Sequence, residues 1–152
     1  MENPDSLRIG LASDHAGFET KEWIRNYLEE RKIPCVDYGT YSTESVSYAT
    51  YGHQLAEAIE KGEVHRGIAV CGSGNGINMT LNKHAQIRSA LCWNEEITAL
   101  ARAHNDANVL ALPGRFLSKE TVAKMVDVFL NTPFEGGRHQ LRIDAISSFQ
   151  LE

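Results

Sequence analysis

Short apolar, strand-like runs alternate with helix-period segments along the whole chain, and this alternation limits the fold more than any other feature. Leu7–Ser13 is apolar and ends at Asp14-His15-Ala16-Gly17. From Phe18 to Arg31, Trp23, Ile24, Tyr27 and Leu28 recur at helical spacing. Pro34 breaks the chain before a short strand around Cys35–Asp37, and Gly39–Ser47 reads as a polar loop. A helix from Tyr48 to Lys61 follows, closed by Gly62. Gly67–Val70 is a continuous apolar run, the signature of a strand covered on both faces, and it enters Cys71-Gly72-Ser73-Gly74-Asn75-Gly76. Ile77–Asn82 reads as helix and Ser89–Cys92 as strand. Asn94 suits a helix cap, with Glu95 and Glu96 in the first turn. Val109–Leu112 is a fifth strand, stopped by Pro113-Gly114. Ser118 caps a helix bearing Val122, Met125, Val126, Phe129 and Leu130, and a last helix runs from Arg138 to about Phe149.

Repeated βα units with short connections predict one doubly wound α/β domain over residues 1–152: a five-stranded parallel sheet between helical layers, with an additional C-terminal helix. At 152 residues such a domain buries roughly 70% of its chain surface, enough for a core without staples. Ligands in open α/β sheets bind beyond the carboxyl ends of the strands, where strand order reverses. With an assumed order 2-1-3-4-5, the loops after the first and third strands face one cleft.

Composition narrows the partners. The formal net charge of −5 argues against non-specific nucleic-acid binding, which needs Lys and Arg to neutralise phosphates. The apolar runs are far too short to span a membrane. Cys35, Cys71 and Cys92 are odd in number and without framework spacing. The polar, acidic start Met1–Ser6 is unlike a secretory leader, so a reduced, cytoplasmic protein is expected.

Several groups fall where chemistry can occur. Gly72, Gly74 and Gly76 allow unusual dihedrals, and their loop can turn N–H groups onto an oxyanion; the same pattern also makes a plain tight turn. G-x-G-x-G misses the dinucleotide fingerprint by one position, and no GK[ST] follows. Cys71 is either a thiol activated at a helix start or a small buried hydrophobe. Cys35 and Cys92 lie in strands and read as packing residues. Asp14 and His15 can act together on a sugar hydroxyl or phosphate, or Asp14 can simply cap a helix. His104 continues the stripe of Ile97, Leu100 and Ala101, as a core histidine or a catalyst, with Asn105 beside it. Arg138 and Arg142 share one helical face, as a phosphate clamp or a solvated face; Arg115 stands at a strand-end rim. His53, His65 and His84 lack such company and read as surface residues. No Cys/His spacing suggests zinc.

Taken in order, Asp14-His15-Ala16-Gly17, Cys71 to Gly76, Asn82-Lys83, His104-Asn105-Asp106-Ala107-Asn108-Val109-Leu110 and Glu135-Gly136-Gly137-Arg138-His139 resemble the type B ribose-5-phosphate isomerases, whose family also holds allose- and galactose-6-phosphate isomerases. The likeness runs from about Leu7 to Phe149. It implies a Rossmann-like fold, no metal or organic cofactor, and aldose–ketose interconversion through an enediolate in the non-oxidative pentose phosphate route. It makes Cys71 the base between C2 and C1, and His104 the ring-opening acid/base with Asp14 assisting. The amides of Gly72 to Gly76, with Ser73 and Asn75, would hold the enediolate oxygen. His15, Arg138 and Arg142 would hold the phosphate, and Tyr48, Asn105 and Arg115 would line the pocket. Family members are homodimers or dimers of dimers with shared sites. Two departures stand out: Ser73 replaces a common threonine, and Ser47-Tyr48-Ala49 replaces a common Asp-Tyr-Pro. Some members carry a glutamate where this chain has Ile77, which leaves Cys71 as the base. A hexose 6-phosphate substrate and a non-catalytic sugar-phosphate-binding module are the alternatives.

Overall fold

A computed structural model describes residues 7–148. The chain runs β1 (Ile9–Ser13), α1 (Phe18–Glu30), β2 (Cys35–Asp37), α2 (Tyr48–Glu60), β3 (Arg66–Cys71), α3 (Asn75–Leu81), β4 (Ser89–Leu91), α4 (Glu95–Ala103), β5 (Val109–Pro113), α5 (Lys119–Asn131) and α6 (Arg138–Ser147). All strand pairs are parallel. Three-layer α/β architecture with a C-terminal helix is therefore observed as expected. The expected continuation of the last helix to Phe149 lies outside the described residues.

Strand order is β2-β1-β3-β5-β4, not the assumed 2-1-3-4-5. Burial explains the exchange. Val-Leu-Ala-Leu-Pro of β5 is buried at every position, so it belongs inside the sheet. The three residues of β4 are only half-buried, and short half-exposed strands suit an edge. The pairing of β1 with β3 survives, so the order still reverses between them.

Alternation along β3 divides the core. Ile68 and Val70 pack with Ile24 and Leu28 of α1, Ala101 of α4 and Phe129 of α5. Ala69 and Cys71 face the other way, onto Leu55 of α2 and Ile77 and Leu81 of α3. The sequence caps operate as anticipated: Asn94 accepts from the Ile97 N–H and Ser118 from the Thr121 N–H. Lys21 is a surprise, a fully buried lysine in the first turns of α1. Its Nζ lies 2.6 and 2.7 Å from the two carboxylate oxygens of Asp37, and Asp37 also accepts the Gly39 N–H. This pair ties α1 to the end of β2 and to the loop that follows.

Candidate active site

A cleft of about 400 Å³ opens at the carboxyl ends of β1 and β3. Asp14, His15, Tyr48, Cys71, Gly72, Ser73, Gly76 and Arg115 line it, which brings together eight of the residues singled out from sequence. Each is placed by a local cause. Asp14 Oδ1 accepts the Gly17 N–H at 3.0 Å and closes the turn after β1. Gly17 is required there, because a Cβ would lie 2.3 Å from the Val70 carbonyl oxygen. The Val46 N–H donates to His15 Nδ1 at 3.1 Å. The Val46 carbonyl oxygen lies 3.3 Å from the same nitrogen, so both backbone contacts hold the ring through Nδ1.

Cys71 ends β3 on the α2–α3 side, 4% exposed at the base of the cleft. Gly74, at φ 77°, caps α3 in a left-handed conformation that carries the chain from strand to helix. The first N–H groups of a helix have no partner within it. Here the Asn75 N–H turns back to Ser73 Oγ, and the amides of Gly74 and Gly76 begin the same turn. Tyr48 lies against Gly76 so closely that a Cβ would stand 2.5 Å from its ring. Ser47, at the first departure from the family pattern, caps α2 by accepting the Ala49 N–H, so the helix still starts at Tyr48. Arg115 is held beside the glycine loop by its N–H, which donates to the Gly72 carbonyl.

The other two cysteines behave as packing residues. Cys92 is 1% exposed in the core, and burial pushes its thiol up to about 11. Burial also raises the Cys35 thiol.

His104, Asn105, Arg138 and Arg142 do not line this cleft. His104 follows the last turn of α4, which descends from the carboxyl end of β4 to the amino end of β5. The register sets Gly67 opposite Val109 and Cys71 opposite Pro113, so Cys71 stands at the far end of the sheet from the His104 turn. Four strand residues span roughly 13 Å. His104 also sits on the α4–α5 side, whereas Cys71 faces α2 and α3. Helix α6 rests near the same end as His104: Gln140 and Ile143 share a hollow with Arg88 and Asp106, which precede β4 and β5. Arg138 and Arg142 are exposed on it.

The His104 turn is firmly built, by residues that sequence reasoning missed. Arg102, 4% exposed, donates to Asp106 Oδ1 and to the Ala107 carbonyl; Arg88 donates to the Asn105 and Asp106 carbonyls. The i,i+4 spacing of Arg102 and Asp106 was the available signal. His104 is no core residue, since its side chain is 38% exposed, and its ring stacks on that of His139 at 4.2 Å and 11°. Nor are His53 and His84 isolated: His53 Nδ1 lies 2.7 Å from His84 Nε2, and His84 Nδ1 lies 2.6 Å from Glu60. His65 Nδ1 accepts the Arg8 N–H.

A parallel α/β sheet with a thiol, a carboxylate, an imidazole and a guanidinium around a glycine loop at its switch point defines an α/β protein suited to a small anionic substrate. The family model described as Ribose/Galactose Isomerase matches residues 9–146, and the chain belongs to that family of isomerases. Ribose-5-phosphate isomerase B of Escherichia coli is 41% identical over 94% of this chain and 96% of its own length. Among solved structures, a ribose 5-phosphate isomerase of Thermotoga maritima superposes with a TM-score of 0.93 at 45% identity, covering 95% of this chain and 99% of that one. Ribose-5-phosphate isomerase B of Mycoplasma genitalium, solved with bound ribulose-5-phosphate, is similar at a TM-score of 0.89 and 39% identity, over 94% of this chain and 95% of that one. No helix among the described residues is long and apolar enough to cross a membrane.

Proposed function

We propose that this chain interconverts ribose 5-phosphate and ribulose 5-phosphate in the cytoplasm, in a homodimer or dimer of dimers whose sites combine groups from two chains. The observation that carries the reading is Cys71 at the base of a cleft that also holds Asp14, His15, Ser73 and Arg115. His104 of the neighbouring chain, with Asp14, moves a proton from the anomeric hydroxyl to the ring oxygen and opens the furanose. The Cys71 thiolate then takes the C2 proton of the open aldehyde. The electron pair of that bond forms the enediolate, the proton of the C2 hydroxyl passes to the C1 oxygen, and Cys71 returns its proton to C1 to give the ketose. Negative charge develops on the C1 oxygen, where the amides of the glycine loop and Ser73 supply donors. Tyr48 and Asn75 bound the sugar. The phosphate is held by His15 and Arg115 from one side and by Arg138 and Arg142 of the neighbour, with Asn105 beside them, and it positions carbons it does not touch.

The fold supports a contribution from a second chain. An acid or base must come within roughly 3 Å of the proton it moves. His104 and its own Cys71 lie at opposite ends of the sheet and in different layers. Uncovered apolar side chains adjoin both half-sites: Phe116, 75% exposed, next to Arg115, and Leu141, 73% exposed, next to Arg142.

The test is exchange at C2. Enzyme with ribose 5-phosphate in deuterated water should incorporate deuterium and form ribulose 5-phosphate, whereas Cys71→Ala should bind the sugar without either reaction. Tight binding without exchange by the unaltered protein would refute catalysis. A higher kcat/KM for allose or galactose 6-phosphate would move the substrate within the family.

A further inference from the structure

We propose that His104, Glu135 and His139 form a binding site for a borderline divalent transition-metal ion of the Zn²⁺ type, and that its occupation inhibits the enzyme. Three donor atoms lie close together. Glu135 Oε2 lies 3.7 Å from His104 Nε2 and 3.4 Å from His139 Nε2, and all the donor atoms fall within 4.8 Å of one another. A tetrahedral zinc ion with ligand bonds of 2.0–2.1 Å sets neighbouring donors roughly 3.4 Å apart. Donor shifts of roughly an ångström, with the two rings turning out of their stack so that their in-plane lone pairs meet, would close the three side chains on a single ion.

The supports of the cluster are already in place. His139 is 6% exposed in the first turn of α6. The Glu135 N–H donates to the Ala103 carbonyl at 3.0 Å, which fastens the loop before α6 to the end of α4. Arg102 reaches the Thr132 carbonyl and strengthens the same junction. The stacked imidazoles, 4.2 Å apart, each place Nε2 within 3.7 Å of one carboxylate oxygen. Two imidazolium rings in that stack would repel, whereas a metal takes them neutral and satisfies the carboxylate as well.

Donor chemistry selects the ion. Two imidazole nitrogens and one carboxylate oxygen suit Zn²⁺ and its first-row neighbours, while Mg²⁺ and Ca²⁺ favour all-oxygen cages. Three protein ligands leave a fourth position for water. Ligation engages the His104 nitrogen, so an occupied site cannot deliver the ring-opening proton. This last consequence rests on the role proposed for His104; the binding itself rests on the three side chains alone.

The experiment is a titration of the metal-free, full-length protein with Co²⁺ in the absence of substrate, followed by Zn²⁺. The expected result is one Co²⁺ per chain with the visible absorption of a four-coordinate nitrogen–oxygen site, displaced by Zn²⁺ and unaffected by Mg²⁺. Glu135→Gln, at an exposed position, and His139→Gln should each weaken Co²⁺ binding by more than the roughly 10–100-fold that loss of an outer partner costs. Zn²⁺ should suppress turnover, and a chelator should restore it. Absence of a saturable spectrum, a thiolate-to-cobalt charge-transfer band, or unchanged affinity in both variants would overturn the site. Full turnover with Zn²⁺ bound would overturn inhibition. A chain that takes up Co²⁺ as described but never isomerises a sugar phosphate would refute the enzymatic reading and leave the metal site standing.

Discussion

Co-assembling Cys71→Ala chains with His104→Ala chains should restore activity that neither variant has alone. In this fold Cys71 closes β3 at the carboxyl edge of the sheet, and His104 stands beyond α4 at the amino edge. If each site takes its thiolate from one chain and its imidazole from the other, both homodimers lack an intact site. A mixed dimer has one site missing both groups and one missing neither. Random association of equal amounts makes about half the dimers mixed, so roughly a quarter of wild-type sites return in a two-fold assembly. Dimers purified through a different affinity tag on each chain should reach about half. Removing a general acid or base alone costs roughly 10²–10⁴-fold, so the recovered rate stands far above either parent. The assay is conversion of saturating ribose 5-phosphate to ribulose 5-phosphate. Purified mixed dimers no more active than the two variants measured separately would refute the division of the site between chains.

Three further outcomes follow from the packing. Gly76→Ala drives a methyl into the Tyr48 ring, which is 43% exposed and free to swing outward. Urea unfolding should show a loss below about 1 kcal/mol while KM for the sugar phosphate rises; a large stability loss with unchanged KM would contradict the contact. Lys21→Met leaves Asp37, 17% exposed, without its cation and should cost about 3 kcal/mol; adding Asp37→Leu should recover most of it, and an additive double variant would deny the coupling. Cys92 keeps its proton up to about pH 11 when folded but ionises nearer its ordinary value when unfolded. Its contribution is complete below the unfolded pKa and is lost as pH rises from about 9 to 11. Cys92→Ala should flatten the alkaline fall in thermal stability, and an unchanged slope would refute this.

The elements were legible because periodicity and punctuation are local. Apolar runs in β1, β3 and β5, caps at Asn94 and Ser118, and closure by Gly62 at φ 76° can all be recognised within a few residues. Strand order was less accessible, because it depends on which strand is better buried across the whole sheet. Lys21 escaped notice for a similar reason: a lysine in an amphipathic helix reads as surface until Asp37 is brought to it. The His104–Glu135–His139 cluster was hidden because its residues come from two separate segments that join only when α4 meets the loop before α6.

By itself the sequence determined the α/β class, the glycine turn after β3, and the residue types available to a sugar-phosphate isomerase. Side-chain alternation and turn chemistry act over a few residues, so no distant contact is needed to read them. Tertiary structure alone decided how those residues are shared out. It gathered Asp14, His15, Tyr48, Cys71 and Arg115 into one cleft and set His104 and the α6 arginines at the other end of the sheet. The physical reason is the parallel sheet itself. Every strand end at one edge is a helix-length of chain away from the other, so motifs adjacent in a list of residues can belong to two different half-sites.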